Sequence, residues 1–242
     1  MRRNVSGSAG RARPMAPDPA HLLEIDRRLR EAYGVPPLPR RDPLDELILT
    51  ILRQNTNDRN RDQAYQRLRA QFPTWEAVRD APEEAVIEAI RPAGLAPTKG
   101  PRLQAVLRQI NAQQGRLSLD FLRDLPPEAA RSWLLAIPGV GPKTAAIVLL
   151  FSLGVPAFPV DTHIHRVTQR LGLIPPGTSR EAAHTLLEAL IPPALYGPLH
   201  LNLIELGRRA CHARHPDHEH CPVRDLCPLG QRAAAVPASS SS

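Results

Sequence analysis

The stretch IPGVGPKTAAIVLLF, residues 137–151, constrains this chain more than any other. Pro138 cannot continue the helical run before it, which carries Ala130, Trp133, Leu134 and Ile137. Gly139 and Gly141 flank Val140 and can take positive φ without penalty. Pro142 suits the first position of a new helix, and Lys143 to Phe151 then runs apolar. Two helices must therefore meet across a tight two-glycine turn. Such a turn leaves backbone N–H groups facing outward at a helix N-terminus, where they suit a phosphate oxygen.

Lys143 falls in the first turn of the second helix, where the dipole disfavours a cation by roughly 0.3–1 kcal/mol. Only two of the 31 basic residues, Lys99 and Lys143, are lysine; the rest are arginine. Arginine stays protonated and cannot act as a nucleophile, whereas a lysine destabilised as a cation can. The plain alternative is an exposed lysine with no role. Position and scarcity together weigh against it.

Downstream, Val160-Asp161-Thr162-His163-Ile164-His165-Arg166 opens another helix. Asp161 is placed to cap it. Between two helix starts, its carboxylate could also pair with Lys143 or take up a proton. His163 and Arg166 are candidates for backbone phosphate, or plain polar residues of that helix. Further on, Cys211-x6-His218-x2-Cys221-x5-Cys227 gathers all three cysteines. Confined to so short a segment, they do not make a disulfide framework. Three cysteines and a histidine form a plausible zinc set, with His212, His215 and His220 as competing donors.

In that order, hairpin, lysine, aspartate and cysteine cluster resemble the endonuclease III family of DNA glycosylases. The family's motif reads LPGVGxKTA, followed by VDTHxxR. The similarity runs over roughly residues 20–228, most of the chain. It implies a bifunctional DNA glycosylase and abasic-site lyase, with Lys143 as nucleophile and Asp161 as its electrostatic and proton-transfer partner. The substrate would be duplex DNA carrying oxidised or ring-saturated pyrimidines or abasic sites. Monofunctional relatives lack a lysine at the position of Lys143. The resemblance also implies that Gln54 fills the gap left by an extruded base, with Leu95 as a second, apolar wedge. Chemistry on a base inside a duplex requires that extrusion. Gly139, Val140, Gly141, His163 and Arg166 would face the DNA. The family holds a [4Fe–4S] cluster on four cysteines; here His218 stands at the second position, with Cys211, Cys221 and Cys227 at the others. Zinc is the alternative metal. A mismatch glycosylase and a non-catalytic hairpin protein are the alternative functions.

The rest of the chain agrees with an all-α fold. Pro- and Gly-bounded helical patterns recur at about 18–34, 42–52, 57–72, 75–79, 82–90, 100–114, 161–171, 178–190 and 195–209, and no segment alternates as a strand. Thr178 with Glu181 reads as a capping box. The resemblance implies two helical domains flanking a DNA-binding cleft. One is a six-helix domain over 35–155; the other is a discontinuous cluster domain from 18–34 and 156–230. Residues 1–17 and 231–242 read as disordered tails, the first of them basic. The charge of +7 favours a polyanionic partner, and 4% aromatics argue against a base-stacking platform for single strands. No signal peptide or membrane span is evident, so a soluble, intracellular (cytoplasmic or nucleoid) monomer is expected.

Overall fold

The computed structural model describes residues 18–235. The expected basic tail at 1–17 and residues 236–242 lie outside them. Twelve α-helices are described and no strand among these residues. They are α1 (Pro19–Tyr33), α2 (Pro43–Arg53), α3 (Asp58–Gln71), α4 (Trp75–Asp80), α5 (Glu83–Ala89) and α6 (Ala96–Gln114). After them come α7 (Pro127–Leu135), α8 (Pro142–Ile147), α9 (Thr162–Arg170), α10 (Arg180–Leu190), α11 (Tyr196–Arg209) and α12 (Pro228–Ala235). None is long and apolar enough to cross a membrane.

Short polar side chains start these helices as their sequence suggests. Asp18, Asp42, Asn57, Thr74, Asp161 and Ser179 each accept a backbone N–H from the first turn they open. The Thr178 capping box is corrected here. Ser179 takes the cap through Ala182 N, and the Thr178 hydroxyl instead donates to Pro175 O at 2.7 Å. Helix α6 begins at Ala96, earlier than Gly100-Pro101 suggested. Pro101 lies inside it, and Gly100 is needed because a Cβ there would stand 2.7 Å from Ile87 Cγ1. Helix α12 also begins before, and runs into, the stretch read as a C-terminal tail from residue 231.

Buried side chains form two cores. The first draws on α2 through α8, from Leu44 to Ala157. The second joins α1 to α9, α10, α11 and the segment up to Cys227. Helix α8 widens at its end into a π-type turn over Val148–Leu153. Between the cores, Arg131 of α7 pairs with Glu188 of α10 at 2.8 Å, and the same carboxylate oxygen accepts Phe158 N at 2.8 Å. This half-buried pair fixes the linker leading to Asp161.

Candidate active site

The hairpin between α7 and α8 closes through Ile137 N to Leu134 O at 3.1 Å and Val140 N to Ile137 O at 3.0 Å. Gly139 has φ +82, and a Cβ on it would meet Arg102 Cδ at 2.8 Å. Gly141 is different. It lies in extended backbone at φ −95 and has nothing within 4 Å of its Cβ position. The expected need for positive φ therefore holds at Gly139, whereas Gly141 provides open space. Val140 turns inward and joins the first core.

Lys143, in the first turn of α8, is half-buried between two adjoining cavities. One, about 340 Å³, is lined by Gln54, Gly139, Gly141, Val160, Arg180, Glu181 and His184 as well as Lys143. The other, about 300 Å³, is lined by Arg53, Asn57, Asp58, Asp161, His163, Arg180 and Arg208 with the same lysine. Lys143 and Arg180 border both. Burial is the largest influence on the Lys143 amine and pushes it below the ordinary lysine range. The Asp161 carboxylate opposes this, the Arg53 and Arg180 guanidiniums reinforce it, and Asp58 opposes it weakly. Burial thus adds to the helix dipole in disfavouring the Lys143 cation.

Asp161 caps α9, its Oδ1 accepting Ile164 N at 2.8 Å. The backbone leading to it is held by two buried histidines. His184 Nδ1 is 2.9 Å from Phe158 O and His200 Nδ1 is 3.0 Å from Pro159 O. A carbonyl only accepts, so each Nδ1 carries a proton. Burial lowers both imidazoles, His200 to about 4, which keeps them neutral at pH 7.

Asp58 gathers three guanidiniums: Arg53 at 3.2 Å, Arg61 at 3.0 Å and Arg208 at 3.1 Å. Arg208 belongs to α11 and Asp58 to α3, so this exposed pair spans the two cores beside Lys143. Sequence reasoning gave no role to Arg53, Asp58, Arg180 and His184; α2, α3 and α10 bring them together and no motif marks them, whereas Arg208 is one of the arginines expected to face phosphate.

Gln54 follows α2, and its Oε1 accepts Arg102 Nη1 at 3.0 Å. Leu95 precedes α6, 55% exposed, with left-handed backbone at φ 51. His163 packs where α11 has a glycine; a Cβ at Gly207 would stand 2.8 Å from its Nδ1. Arg166 donates to Cys211 O and Gly207 O, both at 3.0 Å, tying α9 to the end of α11.

Cys211, His218, Cys221 and Cys227 line one small cavity with apolar walls including Val167, Leu171, Leu206 and Val223. Of the competing histidines none lines it; His220 is exposed and pairs with Asp217 at 2.8 Å. Burial, with help from the neighbouring thiols, raises the Cys221 thiol. Arg170 donates Nη1 to Cys211 Sγ at 3.3 Å and to His212 O at 2.6 Å. Three soft sulfur donors and an imidazole around an apolar chamber fit an iron–sulfur group.

Comparison with known proteins agrees with this geometry. Residues 48–193 match the model of the HhH-GPD superfamily of base excision DNA repair proteins, and residues 211–227 match the iron–sulfur binding domain of endonuclease III. A putative DNA glycosylase of Arabidopsis thaliana is 37% identical over 68% of this chain and 56% of its own length. Endonuclease III of Thermotoga maritima is 34% identical over 79% of this chain and 85% of its own. A trapped endonuclease III–DNA covalent intermediate superposes with a TM-score of 0.77 at 27% identity, covering 90% of this chain and 99% of that one. With sequence and fold agreeing over most of its length, the chain belongs to the endonuclease III family of base excision repair DNA glycosylases.

Proposed function

We propose that this glycosylase is bifunctional, removing oxidised or ring-saturated pyrimidines from duplex DNA and then nicking the abasic strand. The observation that carries the reading is the depressed Lys143 amine in one cavity with Asp161. Breaking an N-glycosidic bond builds positive charge on the sugar, and a carboxylate beside it lowers that barrier. The neutral Lys143 amine attacks C1′ as the bond from C1′ to the base breaks, and the base leaves with that electron pair and gains a proton. The attached amine gives up one proton, the C1′–O4′ bond breaks with its electron pair going to O4′, which takes a proton, and the opened sugar is left as a protonated Schiff base on Lys143. Loss of a C2′ proton then expels the 3′ phosphate by β-elimination. Asp161 serves as the local carboxylate for charge and protons. A relative caught as a covalent DNA intermediate supports this route.

Gly139 and Gly141 at the start of α8 are the proposed phosphate contacts, with buried Val140 shaping the turn; His163 and Arg166, packed against the end of α11, are proposed as further backbone contacts. Gln54 and Leu95 are the proposed wedges. The larger Lys143 cavity, bordered by Gln54 and His184, is the proposed room for the extruded base. Cys211, His218, Cys221 and Cys227 are the proposed ligands of a [4Fe–4S] cluster. The similarity of residues 211–227 to the iron–sulfur binding domain of endonuclease III favours the cluster over a single zinc ion. The cluster would supply a structural cross-link rather than a reacting atom.

The test is a panel of duplexes with defined lesions, scored for base release, strand nicking and borohydride trapping. Release with nicking and a covalent adduct is expected on the pyrimidine lesions. Base release without an adduct would make the enzyme monofunctional. Binding without release would leave a hairpin sensor. Iron, sulfide and zinc analysis of anaerobically purified protein tests the metal; colourless protein with zinc would overturn the cluster.

A further inference from the structure

Lys99, the second of the two lysines, has no part in the chemistry above. It lies in the first turns of α6, 2% exposed, and heads the largest fully buried side chains among the described residues. A buried ammonium needs partners to offset its desolvation. Lys99 Nζ donates to two backbone carbonyls, Leu52 O at 2.7 Å and Ala93 O at 2.9 Å. Each carbonyl stands two residues or fewer before a proposed wedge. Leu52 is in the last turn of α2, just ahead of Gln54 and Asn55. Ala93 ends a short 3₁₀ turn, just ahead of Gly94 and Leu95. Both loops hold a non-glycine residue in left-handed backbone, Asn55 at φ 54 and Leu95 at φ 51. Such a conformation is disfavoured and persists only where the surroundings fix it. One turn further along α6, Arg102 holds the Gln54 side chain itself.

We propose that Lys99 is a positioning residue for base extrusion, clamping the two loops so that Gln54 and Leu95 are presented to the duplex as one unit. The inference rests on the wedge assignment above. Lysine fits the task because its single ammonium can donate to two carbonyls at once from a thin apolar stem. Arginine, used nearly everywhere else, would bring a wider planar head into a fully buried space.

The test compares wild type with Lys99→Met in the metal-loaded full chain. Extrusion is read by 2-aminopurine at the lesion position, which brightens on leaving the stack. Chemistry is read as base release from a damaged duplex and as nicking of the same duplex with a preformed abasic site. Lys99→Met is expected to lower extrusion and base release by about tenfold or more, the loss of charge-assisted hydrogen bonds. Abasic nicking should fall by less than about threefold, because no base then has to leave the stack. In a Gln54→Ala/Leu95→Ala background the same substitution should no longer separate the two activities. Equal losses on both substrates, or none on either, overturn the proposal. If Lys99→Met does not fold, Lys99→Arg gives the same ordering, and equal losses there overturn it. Failures of the two readings are distinguishable. Wild type that extrudes the base but leaves no borohydride adduct defeats only the lyase assignment. Wild type that never brightens 2-aminopurine defeats the clamp.

Discussion

A lysine amine attacks carbon only after losing its proton, so the environment of Lys143 matters as much as its presence. Burial beside two guanidiniums lowers its affinity for that proton. The rate of Schiff-base trapping should therefore rise with pH and level off at lower pH than an ordinary lysine, whose pKa is about 10.4. Trapping rates across pH check this; a plateau at the ordinary value would mean the amine is not perturbed. Lys143→Gln should abolish trapping and nicking while DNA affinity stays within about threefold, since the hairpin amides remain. Gel-shift titration beside a trapping assay reads both. Asp161→Asn should slow base release by about a hundredfold or more. Asparagine caps helices as well as aspartate does, so melting should shift by less than about 1 kcal/mol. An Asn variant with normal base release would leave Asp161 as a cap alone. At this scale the sequence was legible where a residue sits in a local motif, as Lys143 and Asp161 do. It was silent on Arg180, which borders both cavities from α10, and on Asp58, which reaches one of them from α3; their part in the site comes from the packing of separate helices.

The helix start at Pro142 was legible from its punctuation, because prolines and glycines act on their own backbone and need no tertiary partner. The distinct roles of the two glycines were not. Gly139 has a left-handed backbone pressed against Arg102, whereas Gly141 is extended and open. Gly139→Ala should therefore cost about 1–2 kcal/mol of stability, and it should weaken DNA binding as well. Gly141→Asp should leave melting nearly unchanged, while its carboxylate at the proposed phosphate site weakens binding to all sequences alike. Thermal melts and salt-titrated binding separate the two; equal melting loss in both variants would contradict the contrast. The misplaced start of α6 has a similar origin. Gly100-Pro101 looks like a break locally, but Ile87 packs so closely that only glycine fits, and the helix runs through.

Across the whole molecule, the second core is the one expected to depend on the proposed cluster, because Cys211 and Cys221 pack against it and Cys227 belongs to it. Arg166 and Arg170 of α9 hold the backbone at Cys211 and His212, so α9 and α11 share the cluster loop. Removing the metal should raise hydrogen exchange in 162–230 and leave 43–114 nearly unchanged; uniform loss of protection would refute a local role. Acid should act on the same half. His200 binds its proton only near pH 4 when folded but near 6.5 when unfolded. The unfolded state therefore holds more protons between those values, so its stabilising effect is complete above about 6.5 and is lost as pH falls through 4. His200→Gln should flatten the acid limb of the melting curve between these values. The order of the helices also sets a timetable for synthesis. The first core is one unbroken run of chain, with every partner made soon after its neighbour. Helix α1 is made first, yet its packing partner α11 lies more than a hundred residues later. On a ribosome the first core can close while α1 waits with its apolar face uncovered, and the proposed metal ligands emerge only after α11. The proposed cluster can therefore form only once the first core is available to fold, and a shortage of iron at that stage leaves the second core without its cross-link.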